Sequence, residues 1–274
     1  MKTGGLAYAW MAAALLSGCT PDAPTNAANQ VANATSFAEK MTGGNQADPV
    51  AEPFSVTDKG EELEFAYSYP AEAAAIPELV RRFNREIRQS KVSALKLAKE
   101  DQASAKKDGF PFHGHALETH WSVAGNTPAF LSLLSTGYSF TGGAHGMTGY
   151  EALIWDRKAK RALGMEAMLS SPADFKAAIN ADFCAALDKE RAARRGAPVE
   201  ATDPDDEFTR CVDPMEQVLA PTSRDGKLFD AVKVVIGPYA AGPYAEGSYE
   251  ISLPVTAAVR ATIKDHYQAA FAGG

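Results

Sequence analysis

Two hydrophobic rhythms alternate along most of this chain. Leu63, Phe65, Tyr67 and Tyr69 stand at every second position, separated by Glu64, Ala66 and Ser68. That period predicts a strand with one buried face. From Pro77 the spacing lengthens. Leu79, Val80, Phe83, Ile87, Ala94, Leu97 and Ala98 recur at helical intervals. They predict an amphipathic helix running to about Ala105, opened by proline at its first position. Arg81, Arg82, Arg85, Glu86 and Arg88 fall on its polar side, read here as a solvated face rather than a binding patch. Period two returns at Leu117, Thr119, Trp121 and Val123, and Gly125 to Pro128 marks a turn. Phe130 to Phe140 and Tyr150 to Trp155 are two further strand-like runs, and Asp156 to Lys160 turns into a short edge segment. Together these pieces predict an antiparallel meander.

The second half begins with Ser171-Pro172, a cap followed by proline at the first helical position. Phe175, Ile179, Phe183 and Leu187 then recur at steps of four, predicting a second helix to about Arg195. The polar stretch after it carries Asp203, Asp205, Asp206 and Glu207, without the spacing of an EF-hand calcium loop. Phe229 to Ile236 predicts a strand, and Tyr249, Ile251 and Leu253 another. Pro254 leads into a last helix through Val259, Ile263, His266 or Tyr267, and Phe271. Strands and helices do not alternate regularly. The fold class expected is α+β, a mostly antiparallel sheet with helices packed on one side. One folded domain is expected over residues 54–274, and a division into subdomains at about 54–165 and 166–274 stays open.

The N-terminus changes the picture from fold to address. Lys2 precedes an apolar stretch from Leu6 to Leu16, and Leu16-Ser17-Gly18-Cys19 follows. A leucine, two small residues and a cysteine form a lipobox-like pattern. Residues 1–18 are therefore expected to be a signal peptide, too short to span a bilayer as a helix. Cys19 is expected to become a lipidated N-terminus, anchored by several acyl chains. Residues 19–53 are rich in Ala, Asn, Thr, Pro and Gly and read as a disordered tether. The expected location is the cell envelope. Thr20, where aspartate would favour inner-membrane retention, points to the outer membrane facing the periplasm in a Gram-negative source.

Charge and cysteine usage narrow the chemistry. A net charge of −7 argues against nucleic acid and suits a basic protein partner. With Cys19 acylated, Cys184 and Cys211 remain, and in an oxidising compartment they are expected to pair. That disulfide would close a loop of about 28 residues and stabilise by roughly 3–4 kcal/mol. No cofactor and no metal are expected. His113, His115 and His120 lack companion ligands at metal spacing, and His113 and His115 would share a strand face opposite His120. No G-x-S-x-G is present, and no motif nominates a carboxylate pair for glycoside hydrolysis.

Two stretches stand out. The first is Tyr138-Ser139-Phe140-Thr141-Gly142-Gly143-Ala144-His145-Gly146, followed by Tyr150 and Trp155-Asp156. The second is Ile236-Gly237-Pro238-Tyr239-Ala240-Ala241-Gly242-Pro243-Tyr244-Ala245-Glu246-Gly247, followed by Tyr249-Glu250-Ile251-Ser252-Leu253-Pro254. In this order they resemble the RsiV/PdaC-like extracellular domain, classed as domains of unknown function 3298 and 4163, across roughly residues 54–271. In the RsiV branch that domain binds lysozyme. The chain carries neither the sigma-binding segment and membrane helix of that branch nor a polysaccharide-deacetylase domain, so neither activity is expected. What the resemblance implies is a non-catalytic, lipid-anchored envelope protein that binds a lysozyme-like protein or a peptidoglycan-related ligand. An envelope hydrolase using His145 and a structural envelope lipoprotein are the alternatives. Gly142, Gly143 and Gly146 are read as a structural turn. His145, Tyr239 and Tyr244 are the candidate ligand-binding residues, with Tyr249 as a further member of the tyrosine set.

Overall fold

The computed structural model describes residues 51–200, 206 and 208–273. The expected signal peptide, Cys19 and the tether up to residue 50 lie outside the described residues, as do Asp203, Asp205 and Glu207. The described residues form one compact unit. Its first sheet has six strands in sequence order: β1 (Phe54–Lys59), β2 (Leu63–Tyr69), β3 (His115–Asn126), β4 (Phe130–Phe140), β5 (Met147–Asp156) and β6 (Arg161–Leu163). All neighbours are antiparallel except β2 and β3, which run parallel. A parallel pair needs a crossover. Here it is the short helix α1 (Ala71–Ala74) and the long helix α2 (Pro77–Asp108).

Helix α2 opens at Pro77 and ends at Gly109, whose left-handed conformation (φ 75°) caps it. Its buried Leu79 and Phe83 pack on Phe65, Tyr67, Tyr69, Trp121 and Leu153, the outer face of the six-stranded sheet. Truncating a fully buried phenylalanine such as Phe83 costs about 3–5 kcal/mol. The arginines on its other side are solvated as expected. Arg82 pairs with Glu86 at 2.8 Å and with Glu151 of β5 at 3.2 Å, and Arg81 lies 3.7 Å from Glu78.

The second sheet is antiparallel and has three strands: β7 (Val218–Thr222), β8 (Ala231–Ile236) and β9 (Tyr249–Pro254). After the short α3 (Met165–Met168), helix α4 (Pro172–Arg195) lays Phe175, Ile179, Phe183 and Leu187 on Val232, Val234, Ile236, Tyr249, Ile251 and Leu253. Ser171 caps α4 by accepting the Asp174 amide. On the opposite face, Ala220 of β7 and Val235 of β8 meet Leu134, Tyr150 and Ala152 of the first sheet. Phe130 and Ile154 of the first sheet also enter the second core. The two halves of the chain are therefore fused through shared side chains. The α+β class stands, as two sheets that each carry a long helix.

Besides β1 and the short helices α1 and α3, which no pattern predicts, three elements differ from the sequence reading. β7 was not expected, because Pro221 interrupts its apolar run; an edge strand tolerates proline, and β7 is an edge. β3 continues through Asn126, past a register shift between Val123 and Gly125, so the turn is shorter than expected. The single last helix is two, α5 (Ala257–Ala261) and α6 (Asp265–Gln268). Between them Ile263 bridges Leu169, and the Ser170 and Lys264 amides donate to Thr262 O and Met168 O. Those bonds draw the backbone out of the helix. Cys184 on α4 and Cys211 form the expected disulfide, with Cα atoms 5.4 Å apart.

Candidate functional site

The two unusual stretches of sequence meet. One is the β4–β5 connection, residues 141–146; the other is the β8–β9 connection, residues 237–248. Gly142 and Gly143 hold φ values of 101° and 91°, a region that side-chain-bearing residues rarely enter. Gly146 serves a different purpose. It is buried, and a Cβ there would collide with the ring edge and hydroxyl of Tyr138. Across the gap, Tyr239 also adopts a positive φ of 68°, which costs of order 1–3 kcal/mol for a non-glycine residue. This turn presents its side chain outward, 44% exposed.

The side chains lock into one cluster. His145 Nδ1 lies 2.9 Å from Gly146 O. A carbonyl only accepts, so Nδ1 carries a proton. In the neutral imidazole Nε2 then accepts, and the Tyr239 hydroxyl, 3.2 Å away, donates to it. The Tyr244 hydroxyl donates to the same Gly146 O at 2.9 Å. Its ring stacks on His145 with centroids 3.8 Å apart and planes 17° from parallel. Tyr239 and Tyr244 are 5.5 Å apart. Nearby, Tyr150 OH donates to Ser248 Oγ at 2.9 Å, tying β5 to the second connection. His145 is exposed and Tyr244 half-buried. The result is an accessible aromatic surface with two hydroxyls and an imidazole at its rim.

The C-terminal turn of α4 holds the second connection in place. Arg195 pairs with both oxygens of Glu246, at 2.8 and 3.0 Å. The Tyr249 hydroxyl donates to Glu246 as well. Arg194 donates to Glu246 O and lies 3.8 Å over the Tyr249 ring. The Arg195 hydrogen bond pulls the Glu246 carboxyl below its ordinary value, against an opposing effect of burial. Burial, and then the hydrogen bond to Glu246, raises the Tyr249 hydroxyl. Arg191 is wholly buried one turn earlier. It donates from Nε to Ala241 O at 2.9 Å and from Nη1 to Thr209 O at 3.2 Å and Asp188 at 3.1 Å. Its Nη2 has no partner among the described residues. Gly242 packs so closely on Glu246 and Arg195 that a Cβ would collide with the carboxylate.

Other candidate residues do not join this cluster. Tyr249 is 1% exposed and belongs to the core of β9, so it is a support and not part of the surface. His113 precedes β3 rather than sharing a strand face with His115. His115 is buried and contacts Asp101 at 3.1 Å, and His120 bonds Ser68 at 2.9 Å. Among the described residues no group of His, Cys, Asp or Glu is arranged to hold a metal. No helix among them is long and apolar enough to cross a membrane. The sequence reading gave no supporting role to Arg191, Arg195, Glu246 or Tyr138. The collision geometry around Gly146 and Gly242 marks their partners only once the fold is known.

Fold and site together define a domain built on two sheets with paired loops at one end. Residues 56–148 match the family model described as Deacetylase PdaC, a span that includes the histidine loop but not residues 237–248. The fold is shared with a DUF3298 family protein from Pseudomonas aeruginosa PAO1, at a TM-score of 0.50 and 18% identity, covering 83% of this chain and 99% of that one. A DUF3298 family member from Bacteroides fragilis NCTC 9343 aligns at a TM-score of 0.43 and 17% identity, over 75% of this chain and 90% of that one. No curated protein matches the chain. Residues 56–148 are therefore similar to a PdaC-like domain, and the likeness to the Pseudomonas protein is one of fold.

Proposed function

We propose that this protein is a non-catalytic binding module of the cell envelope, lipid-anchored at Cys19, which recognises a basic, lysozyme-like protein. The observation that carries this reading is the aromatic cluster. His145, Tyr239 and Tyr244 come from connections 94 positions apart and share one accessible surface. Tyrosine brings contact area and a hydroxyl together at low entropic cost, which is the composition of binding hot spots. The hydrogen bonds to Gly146 O and the Arg195–Glu246 pair fix the rings before a ligand arrives. Such preorganisation lowers the cost of association. The net charge of −7 favours encounter with a basic partner. The match of residues 56–148 to the model described as Deacetylase PdaC supports an envelope setting. The outer membrane facing the periplasm is the proposed location in a Gram-negative source.

Pull-down of hen lysozyme by the purified protein, at low and at moderate salt, tests the reading. Capture that weakens as salt rises is expected. Absence of capture at micromolar protein under both conditions would remove the lysozyme version.

A further inference from the structure

Strand β5 is only partly covered along its outer edge. The Arg157 amide donates to Ala129 O at 3.1 Å, one step beyond the Phe130↔Asp156 pair of the β4–β5 ladder. Backbone groups of successive strand residues point to opposite sides. Odd-numbered residues of β5 therefore bond β4, and even-numbered ones face the outer edge. At one end of that edge β6 takes Ile154 and Asp156, opposite Leu163 and Arg161. At the other end Gly146 O is taken by Tyr244, and Gly237 lies beside Thr148 O. Between these two covers, Tyr150 and Ala152 turn their N–H and C=O groups toward a stretch of edge that no described strand pairs. The gap spans about five residues, roughly 17 Å.

A cavity opens on each side of this gap, and Gly164 lines both. The first, of about 260 Å³, lies on the α2 face between Arg82, Glu151, Leu153 and Leu163. The second, of about 280 Å³, lies on the opposite face between Tyr150, Met165, Glu166, Met215 and Leu219. Side chains of an added strand alternate between the two faces, so one would enter each cavity in turn. In the first cavity Glu151 is paired with Arg82 at 3.2 Å, whereas in the second Glu166 forms no ion pair among the described residues and leaves that wall acidic. A lysine or arginine suits the second cavity, its stem on Met165 and Met215 and its head at Glu166, and an apolar side chain suits the first, beside Leu153 and Leu163.

Resting on the binding reading above, we propose that this gap in β5 takes an extended, basic segment of the protein partner as an added strand. The segment lies between β6 and the aromatic cluster and ends against His145 and Tyr239. A second copy of this chain fits less well, because β6 and residue 237 block long edge-to-edge pairing.

Amide hydrogen exchange on the whole protein, with and without an acetylated peptide of four Lys-Val repeats, tests the proposal. Exchange at Tyr150 and Ala152 should slow by about tenfold or more when the peptide binds. Ala152→Pro removes an outward N–H without touching the β4 ladder, and Glu166→Lys reverses the charge at an exposed position; both should abolish the slowing while melting stays cooperative. No slowing at saturating peptide would overturn the proposal. Slowing confined to residues 141–146 and 237–248 would also overturn it, while leaving the aromatic-surface reading intact. Exchange at Tyr150 and Ala152 that is slow without peptide, and faster on dilution, would assign the edge to a second copy and overturn the partner version.

Discussion

At Gly146 the identity of the residue is set by space rather than by backbone angle. Its neighbours Gly142 and Gly143 sit in the left-handed region, but Gly146 is small because the Tyr138 ring lies against it. Gly146→Ala should therefore destabilise by about 1–3 kcal/mol through overpacking, read as a lower melting temperature. It should also disturb the carbonyl that positions His145 and Tyr244. Glu246 makes a prediction about acid. Its carboxyl is held below an ordinary value of 4.5 by Arg195. A depressed carboxylate contributes stability that is complete above the unfolded value and lost as pH falls through the folded one. The wild type should thus lose more melting temperature between about pH 5 and pH 3 than Glu246→Gln does. Parallel acid profiles for the two would show that this pair adds nothing to folding. Residue types that bend the chain were legible in the sequence, since glycine and proline announce turns. The partners that make those residues necessary were not. Arg194 and Arg195 at the end of a helix look like ordinary complements to its dipole, and only the fold reveals Glu246 opposite them.

Among the elements, helix α4 links the disulfide to the site. Cys184 lies near its middle, Arg191 two turns later, and Arg195 at its last position. Arg191 bonds Thr209 O, two residues before Cys211, and Ala241 O in the tyrosine connection. Reduction, or replacement of both cysteines by alanine, should lower stability by roughly 3 kcal/mol. Limited proteolysis should then cut first near Cys211, before the sheets open. An unchanged melting temperature and digestion pattern would show that the brace is idle. Helices α2 and α4 and strands β2 and β4 were legible from periodicity because each buries one continuous face. β1 and β7 were not. β1 is a polar edge strand, β7 contains a proline, and both are recognised by their neighbours rather than by their own pattern.

At the scale of the whole molecule, two sheets hold two connections against each other. The α+β class was legible in the sequence because irregular alternation of strands and helices admits few alternatives. The division of strands into six and three was not, since β6 is only three residues long and Pro221 breaks the apolar run of β7, so neither shows which sheet it joins. His145, Tyr239 and Tyr244 were each legible as candidates from their glycine and proline surroundings. Their convergence depends on the packing of β7 against the first sheet, which no local pattern encodes. The central claim is that this converged surface binds a basic protein. It is tested most directly by calorimetric titration of lysozyme into the wild type and into a Tyr239→Ala variant, an exposed position whose loss leaves the core intact. The account predicts binding at micromolar affinity or tighter to the wild type, weakened by about 2 kcal/mol or more in the variant. Equal affinities for the two proteins, or no heat of binding to either, would contradict it.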